Sequence, residues 1–116
     1  MNLPGSVRVR FEELRSLGWA SFGAGYIGVG ASFTNPIRLL KITNTSDANL
    51  LISFDGITDH DMIPANGFCI YDYGSNATGR SGYLEQPAGD RLYVKLEGAA
   101  ATSGNIYVTL MYVSQV

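Results

Sequence analysis

From Pro36 onward, apolar and polar residues alternate in short runs separated by turn residues. Ile37 to Thr43 has few polar interruptions, which predicts a strand covered on both faces. Leu50, Ile52 and Phe54 alternate with Leu51, Ser53 and Asp55, the pattern of a half-buried strand. Met62-Ile63 is a short apolar pair. Phe68, Ile70 and Asp72 alternate with Cys69, Tyr71 and Tyr73. A brief strand is predicted at Tyr83-Leu84, and Leu92, Val94 and Leu96 then alternate with Arg91, Tyr93 and Lys95. In the last run Ile106, Val108, Leu110 and Tyr112 oppose Tyr107, Thr109, Met111 and Val113.

The intervals between these runs read as turns. Asn44-Thr45-Ser46-Asp47-Ala48-Asn49 is built from residues that hydrogen-bond their own backbone. Asp55-Gly56, Pro64 to Gly67, the polar loop Gly74 to Gly82, Pro87-Ala88-Gly89 and the small-residue loop Gly98 to Gly104 follow. Strands every ~8–12 residues without a convincing helix predict a single antiparallel β-sandwich. The Pro-Ala turns mark corners between sheets, so the connections are of jelly-roll or Greek-key type.

The first 35 residues are different. Phe11, Leu14 and Arg15 share i, i+3, i+4 spacing, which predicts one helical turn within Phe11 to Leu17. Gly18, Gly23, Gly25, Gly28 and Gly30 then exclude a stable helix and permit bends and close backbone approach. The chain therefore divides into an N-terminal arm or lead-in, residues 1–35, and a sandwich, residues 36–116. Two readings of the lead-in stand. In one, Val7 to Tyr26 is an extended arm laid on a neighbouring subunit, with Trp19, Phe22, Tyr26 and the adjoining Ile27 as interface anchors. In the other, it forms the first strands of the same sandwich.

Composition narrows the function classes. A chain of 116 residues has room for one domain. With 46% hydrophobic and 16% charged residues and a mean hydropathy of +0.07, it has apolar surface to spare for assembly, or else a core rich in Val, Ile and Leu. The net charge is -2, and Arg8, Arg10, Arg15 and Arg38 are scattered, so no nucleic-acid footprint is present. Cys69 is the single cysteine, and the fold depends on no internal disulfide. No apolar run reaches the ~20 residues of a membrane span, and Met1 to Gly5 carries no signal-peptide pattern, so folding in a cytoplasm is expected.

Reactive groups are few. His60 and Cys69 flank one turn, but a cysteine beside Phe68 and Ile70 behaves as a small hydrophobe. Asp55, Asp59, His60 and Asp61 are the densest polar group. Their spacing does not match a calcium loop, and they read as an exposed loop. Gly23-Ala24-Gly25-Tyr26-Ile27-Gly28 satisfies the bare Gly-x-Gly-x-x-Gly pattern, yet no helix follows it to receive a phosphate. No catalytic residue, cofactor site or metal site is expected. The tyrosines remain: Tyr71, Tyr73, Tyr93, Tyr107 and Tyr112 sit on strands, where they pack in cores and interfaces or stack on sugars. A carbohydrate-binding module for host attachment is the alternative function.

The run Ile37-Arg38-Leu39-Leu40-Lys41-Ile42-Thr43-Asn44-Thr45-Ser46-Asp47-Ala48, followed by Leu51-Ile52-Ser53-Phe54-Asp55-Gly56, resembles small virion proteins of tailed bacteriophages. The likeness continues through Asp59-His60-Asp61, Ile63-Pro64-Ala65-Asn66-Gly67, Tyr71-Asp72, Pro87-Ala88-Gly89, Leu92-Tyr93-Val94-Lys95 and Ser103 to Val108. It covers roughly residues 14 to 113 and consists of strand-and-turn consensus. The resemblance implies a non-enzymatic structural protein, present in many copies, that binds and reinforces neighbouring subunits as capsid decoration or as a head–tail or tail component. It implies partners among capsid, portal or tail proteins and further copies of the chain, with assembly in the host-cell cytoplasm.

Overall fold

A computed structural model describes residues 7–73 and 85–115. The strands are β1 (Val7–Phe11), β2 (Arg15–Gly18), β3 (Ile27–Gly28), β4 (Leu39–Asn44), β5 (Leu50–Ser53), β6 (Asp61–Ile63), β7 (Phe68–Asp72), β8 (Tyr93–Leu96) and β9 (Asn105–Gln115). A single 3₁₀ turn spans Trp19–Ser21. The first sheet runs β1-β9-β4-β7, with β2 following β1 along the same side of β9; the second runs β3-β8-β5-β6. Every pairing is antiparallel, and the pairs nest: β5 with β6, β4 with β7, β3 with β8, and β1 and β2 with β9. The chain is thus one long hairpin, closed at the β5–β6 turn and rolled into two packed sheets. The β-sandwich expected from the alternation is the observed fold.

Side chains on the facing sides of the sheets make the core. Leu40 pairs with Leu110 and Ile42 with Val108 in the first sheet, while Leu50, Ile52 and Val94 face them from the second. All seven are fully buried, each contributing about 1.5–3 kcal/mol by leaving water. Ile37 closes one end, exchanging two 2.8 Å backbone hydrogen bonds with Gln86. The Asn44–Asn49 turn holds itself as its residues predict. The buried Asn44 amide donates to the Ala48 and Pro64 carbonyls at 2.9 and 3.1 Å and accepts from the Ser46 backbone N–H at 3.0 Å. Gly104 lies against this turn at φ +89°, where a Cβ would sit 2.3 Å from the Thr45 carbonyl oxygen.

Two expectations are corrected, and one open alternative takes a definite form. Phe11 to Leu17 forms no helical turn: Phe11 ends β1 and Arg15 begins β2, because backbone pairing with the long β9 outweighs a weak helical periodicity. The segment from Ile37 to Thr43 is covered on one face only. Leu40 and Ile42 are buried, Lys41 is exposed and Leu39 is half-exposed, because none of the described residues packs on the outside of the first sheet. Residues before Pro36 also enter the sandwich, since β1 and β2 extend one sheet, β3 the other, and Phe22, Val29 and Phe33 reach the core. The brief strand expected at Tyr83-Leu84 and the loop Gly74 to Gly82 lie outside the described residues.

Candidate interaction surface

Directly paired residues in a sheet share a face, so the register defines the outer surface of the first sheet. One row across it is Asp72–Leu39–Met111–Phe11, and the next is Val113–Val9. On the other side lie Ile70–Lys41–Thr109 and then Phe68–Thr43–Tyr107–Ser16. Phe11 is 62% exposed, Val9 59%, Phe68 65% and Ile70 50%, with Leu39, Met111 and Val113 half-exposed between them. Seven apolar side chains therefore share one solvent-facing surface, whereas isolated exposed apolar residues would be ordinary.

Part of this surface stands clear of the sandwich. β4 pairs with β9 only as far as Met111, while β1 pairs with Met111 to Gln115, so the end of β9 is held in a two-stranded ribbon. The ribbon contains Arg8 and Arg10, both exposed on the face opposite Val9 and Phe11, and no acid.

A bulge anchors the ribbon to the body. Phe11 pairs with Met111 and Arg15 with Val108, so four steps on one strand oppose three on the other. Glu12 follows Phe11 and so points inward by the strand alternation, with its side chain only 6% exposed. Its carboxylate accepts from Arg15 at 2.9 Å and from the backbone N–H groups of Thr34 and Asn35 at 3.1 and 2.8 Å. Burial would raise its pKa, but the hydrogen bonds from Asn35 and Arg15 outweigh that and hold it below the usual carboxylate value. An open cleft of about 630 Å³ lies beside it, lined by Leu14, Gly30, Asn35 and Tyr112 among others. In the cleft Glu12 and Arg15 are paired with each other, while Glu13 also lines it.

The residues expected as interface anchors are not brought onto one surface. Phe22 is 8% exposed and belongs to the core. Trp19, on the 3₁₀ turn, is 42% exposed, and Ile27 on β3 is also exposed. Tyr26 is half-buried, its hydroxyl donating to Asp59 at 2.5 Å beneath the Lys95 ammonium, which lies 4.6 Å from the ring centre. Burial and then the Asp59 carboxylate push its pKa up. The surface carried by Val9, Phe11, Phe68 and Ile70 is one that reading the sequence for anchors missed. Its signal was the strict alternation Val7-Arg8-Val9-Arg10-Phe11, masked by the helical spacing that begins at Phe11.

The acidic loop is organised around its own backbone. Asp55 accepts from the N–H groups of Thr58 and Ile57 and from the Ser53 hydroxyl, which hold its carboxyl well below the usual range. His60 Nδ1 accepts from the Phe54 backbone N–H at 3.0 Å, so that nitrogen is unavailable as a base. Cys69 is half-buried, and burial pushes its thiol up, away from a nucleophilic thiolate. Among the described residues no cluster of His, Cys, Asp or Glu has the proximity of a metal site. The five strand tyrosines form no exposed row. Tyr71 and Tyr73 stack on each other at 6.3 Å against the core, Tyr112 packs there too, and Tyr93 and Tyr107 lie on outer faces of different sheets.

No protein-family model matches this chain, and no curated protein matches it. One solved structure has a similar fold, and a second gives a weaker superposition. A chain of the cyanophage Pam1 capsid asymmetric unit superposes with a TM-score of 0.52 at 14% identity, over 99% of this chain and 93% of that one. A chain from the disulfide-linked pili that form Bacillus endospore appendages gives 0.44 at 16% identity, over 99% and 96%.

Proposed function

We propose that this protein is a non-enzymatic structural component of a bacteriophage particle that packs against neighbouring subunits of the capsid. The observation that carries the reading is the apolar outer face of the first sheet. Covering a side chain such as Phe11 or Phe68 there would contribute about 1.5–3 kcal/mol, and no other described residue does so. The rolled-hairpin strand order is that of jelly-roll domains, and the fold is shared with a chain of a cyanophage capsid unit. The hydrogen-bonded carboxylates of Glu12 and Asp55 and the raised thiol of Cys69 support a role without turnover. Among the described residues the tyrosines are half-buried and divided among faces, an arrangement that does not favour a glycan ligand.

The test is composition of the particle. Phage particles banded on a density gradient should contain this chain in many copies per particle, resistant to a salt wash because the contact is apolar. Recovery of the chain only from the unassembled fraction would overturn the reading.

A further inference from the structure

We propose that copies of this chain join head to tail, with β1 of one copy adding as a strand to the outer edge of β7 in the next, which has no strand partner among the described residues. This names a partner for the two edges that bound the surface described above, and it rests on the virion reading only for its setting.

The two strands end the first sheet on opposite sides. Because every neighbour in that sheet is antiparallel, β1 and β7 run in opposite directions, and a neighbour in the same orientation brings β1 antiparallel to β7. The hydrogen-bond phases also agree. The bond from the Glu12 N–H to the Leu110 carbonyl, 3.0 Å, sets the β1–β9 alternation so that Val9 and Phe11 direct their backbone groups away from β9. On the other edge, the bonds from Asn44 N–H to Gly67 and from Tyr73 N–H to Arg38 set β7 so that Phe68 and Ile70 direct theirs away from β4. Pairing Phe11 with Phe68 and Val9 with Ile70 joins these two edges, and because all four side chains lie on the outer face, the apolar surface continues across the joint.

Charge supports the same register. With Val9 beside Ile70, Arg8 falls opposite Tyr71, whose hydroxyl donates to the exposed Asp61 carboxylate. Asp55 and Asp59 lie exposed in the adjoining loop, so a basic, acid-free ribbon meets the acidic side of the sandwich. The neighbouring strand β2 is unsuited to the contact, because its outward residues are Ser16 and Gly18. Within one copy Phe11 shares a row with Asp72 rather than Phe68, so adjacent copies are staggered by four residues, about 13 Å. Such a heterologous contact closes into a ring or propagates as a filament, and it uses each edge once.

Two variants of the full chain test it: one carrying Val9→Lys and Phe11→Lys, the other Phe68→Lys and Ile70→Lys. A lysine on an edge strand opposes strand addition. In sedimentation velocity the wild type should self-associate, and each variant should weaken association by roughly 30-fold or more. An equimolar mixture should form a one-to-one dimer and nothing larger, because each variant keeps one intact edge. A monomeric wild type, a variant that assembles normally, or a mixture that stays monomeric would each overturn the proposal. Circular dichroism and a cooperative melt verify folding, and a variant that does not fold is replaced by the corresponding Thr pair. A wild type that is monomeric yet present in purified particles removes the strand pairing and leaves the virion role; one that assembles yet is absent from particles does the reverse.

Discussion

The Glu12 carboxylate accepts a 2.8 Å hydrogen bond from the backbone N–H of Asn35, 23 residues along the chain, and a 2.9 Å bond from the Asn35 side chain. This relationship fixes the bulge between β1 and β2 to the segment leading into β4, and so sets the base of the ribbon. Removing the carboxylate by Glu12→Ala leaves Arg15 and the Thr34 and Asn35 donors without their acceptor. We expect a loss of roughly 3 kcal/mol in urea unfolding. The pH dependence has a defined sign. The folded pKa lies below the ordinary value of 4.5, so the contribution is complete above that pH and declines as pH falls through the folded pKa. Glu12→Gln should therefore flatten the acid limb of the stability curve below about pH 4.5.

Gly104 is required by both conformation and space. Its φ of +89° is unfavourable for residues with a Cβ, and that Cβ would meet the Thr45 carbonyl and Ser46 Cα at 2.3 and 2.5 Å. Gly104→Ala should lower the melting temperature, at a cost of roughly 3 kcal/mol. Gly25→Ala is the control: no atom lies within 4 Å of its Cβ position, and its effect should be small.

Asn44 ties the turn before β5 to the loop after β6. Asn44→Ala takes one donor from each of the Ala48 and Pro64 carbonyls, which keep the Ser46 hydroxyl and the Gly67 N–H, and removes the acceptor of the Ser46 N–H and hydroxyl. The expected cost is about 2–4 kcal/mol by chemical denaturation. Hydrogen exchange of the Ser46 amide should accelerate in the same variant.

The outer face and the core should respond oppositely to substitution. Phe68→Thr should change the stability of the isolated chain by no more than about 0.5 kcal/mol, because the side chain is already solvated. Leu110→Ala, at a fully buried site, should cost about 2–5 kcal/mol. Binding of a hydrophobic dye to the native protein should fall in Phe68→Thr relative to wild type.

The sequence by itself determined that the chain is a β-sandwich, where its turns fall, and that its reactive groups are few. Those properties are local: period-two alternation marks strands, and Asn, Ser, Pro and Gly bend the backbone wherever they occur. The tertiary structure decided which face of each strand is covered. In Phe68-Cys69-Ile70-Tyr71 both faces are apolar, so packing against the core, Phe54 among its neighbours, placed Cys69 and Tyr71 inward and left Phe68 and Ile70 outward. It also decided that β1 and β2 belong to this sandwich, since an eleven-residue β9 supplied a partner that local periodicity around Phe11 does not reveal. Burial and strand pairing are properties of what lies across from a residue, and in this chain those neighbours are distant in sequence.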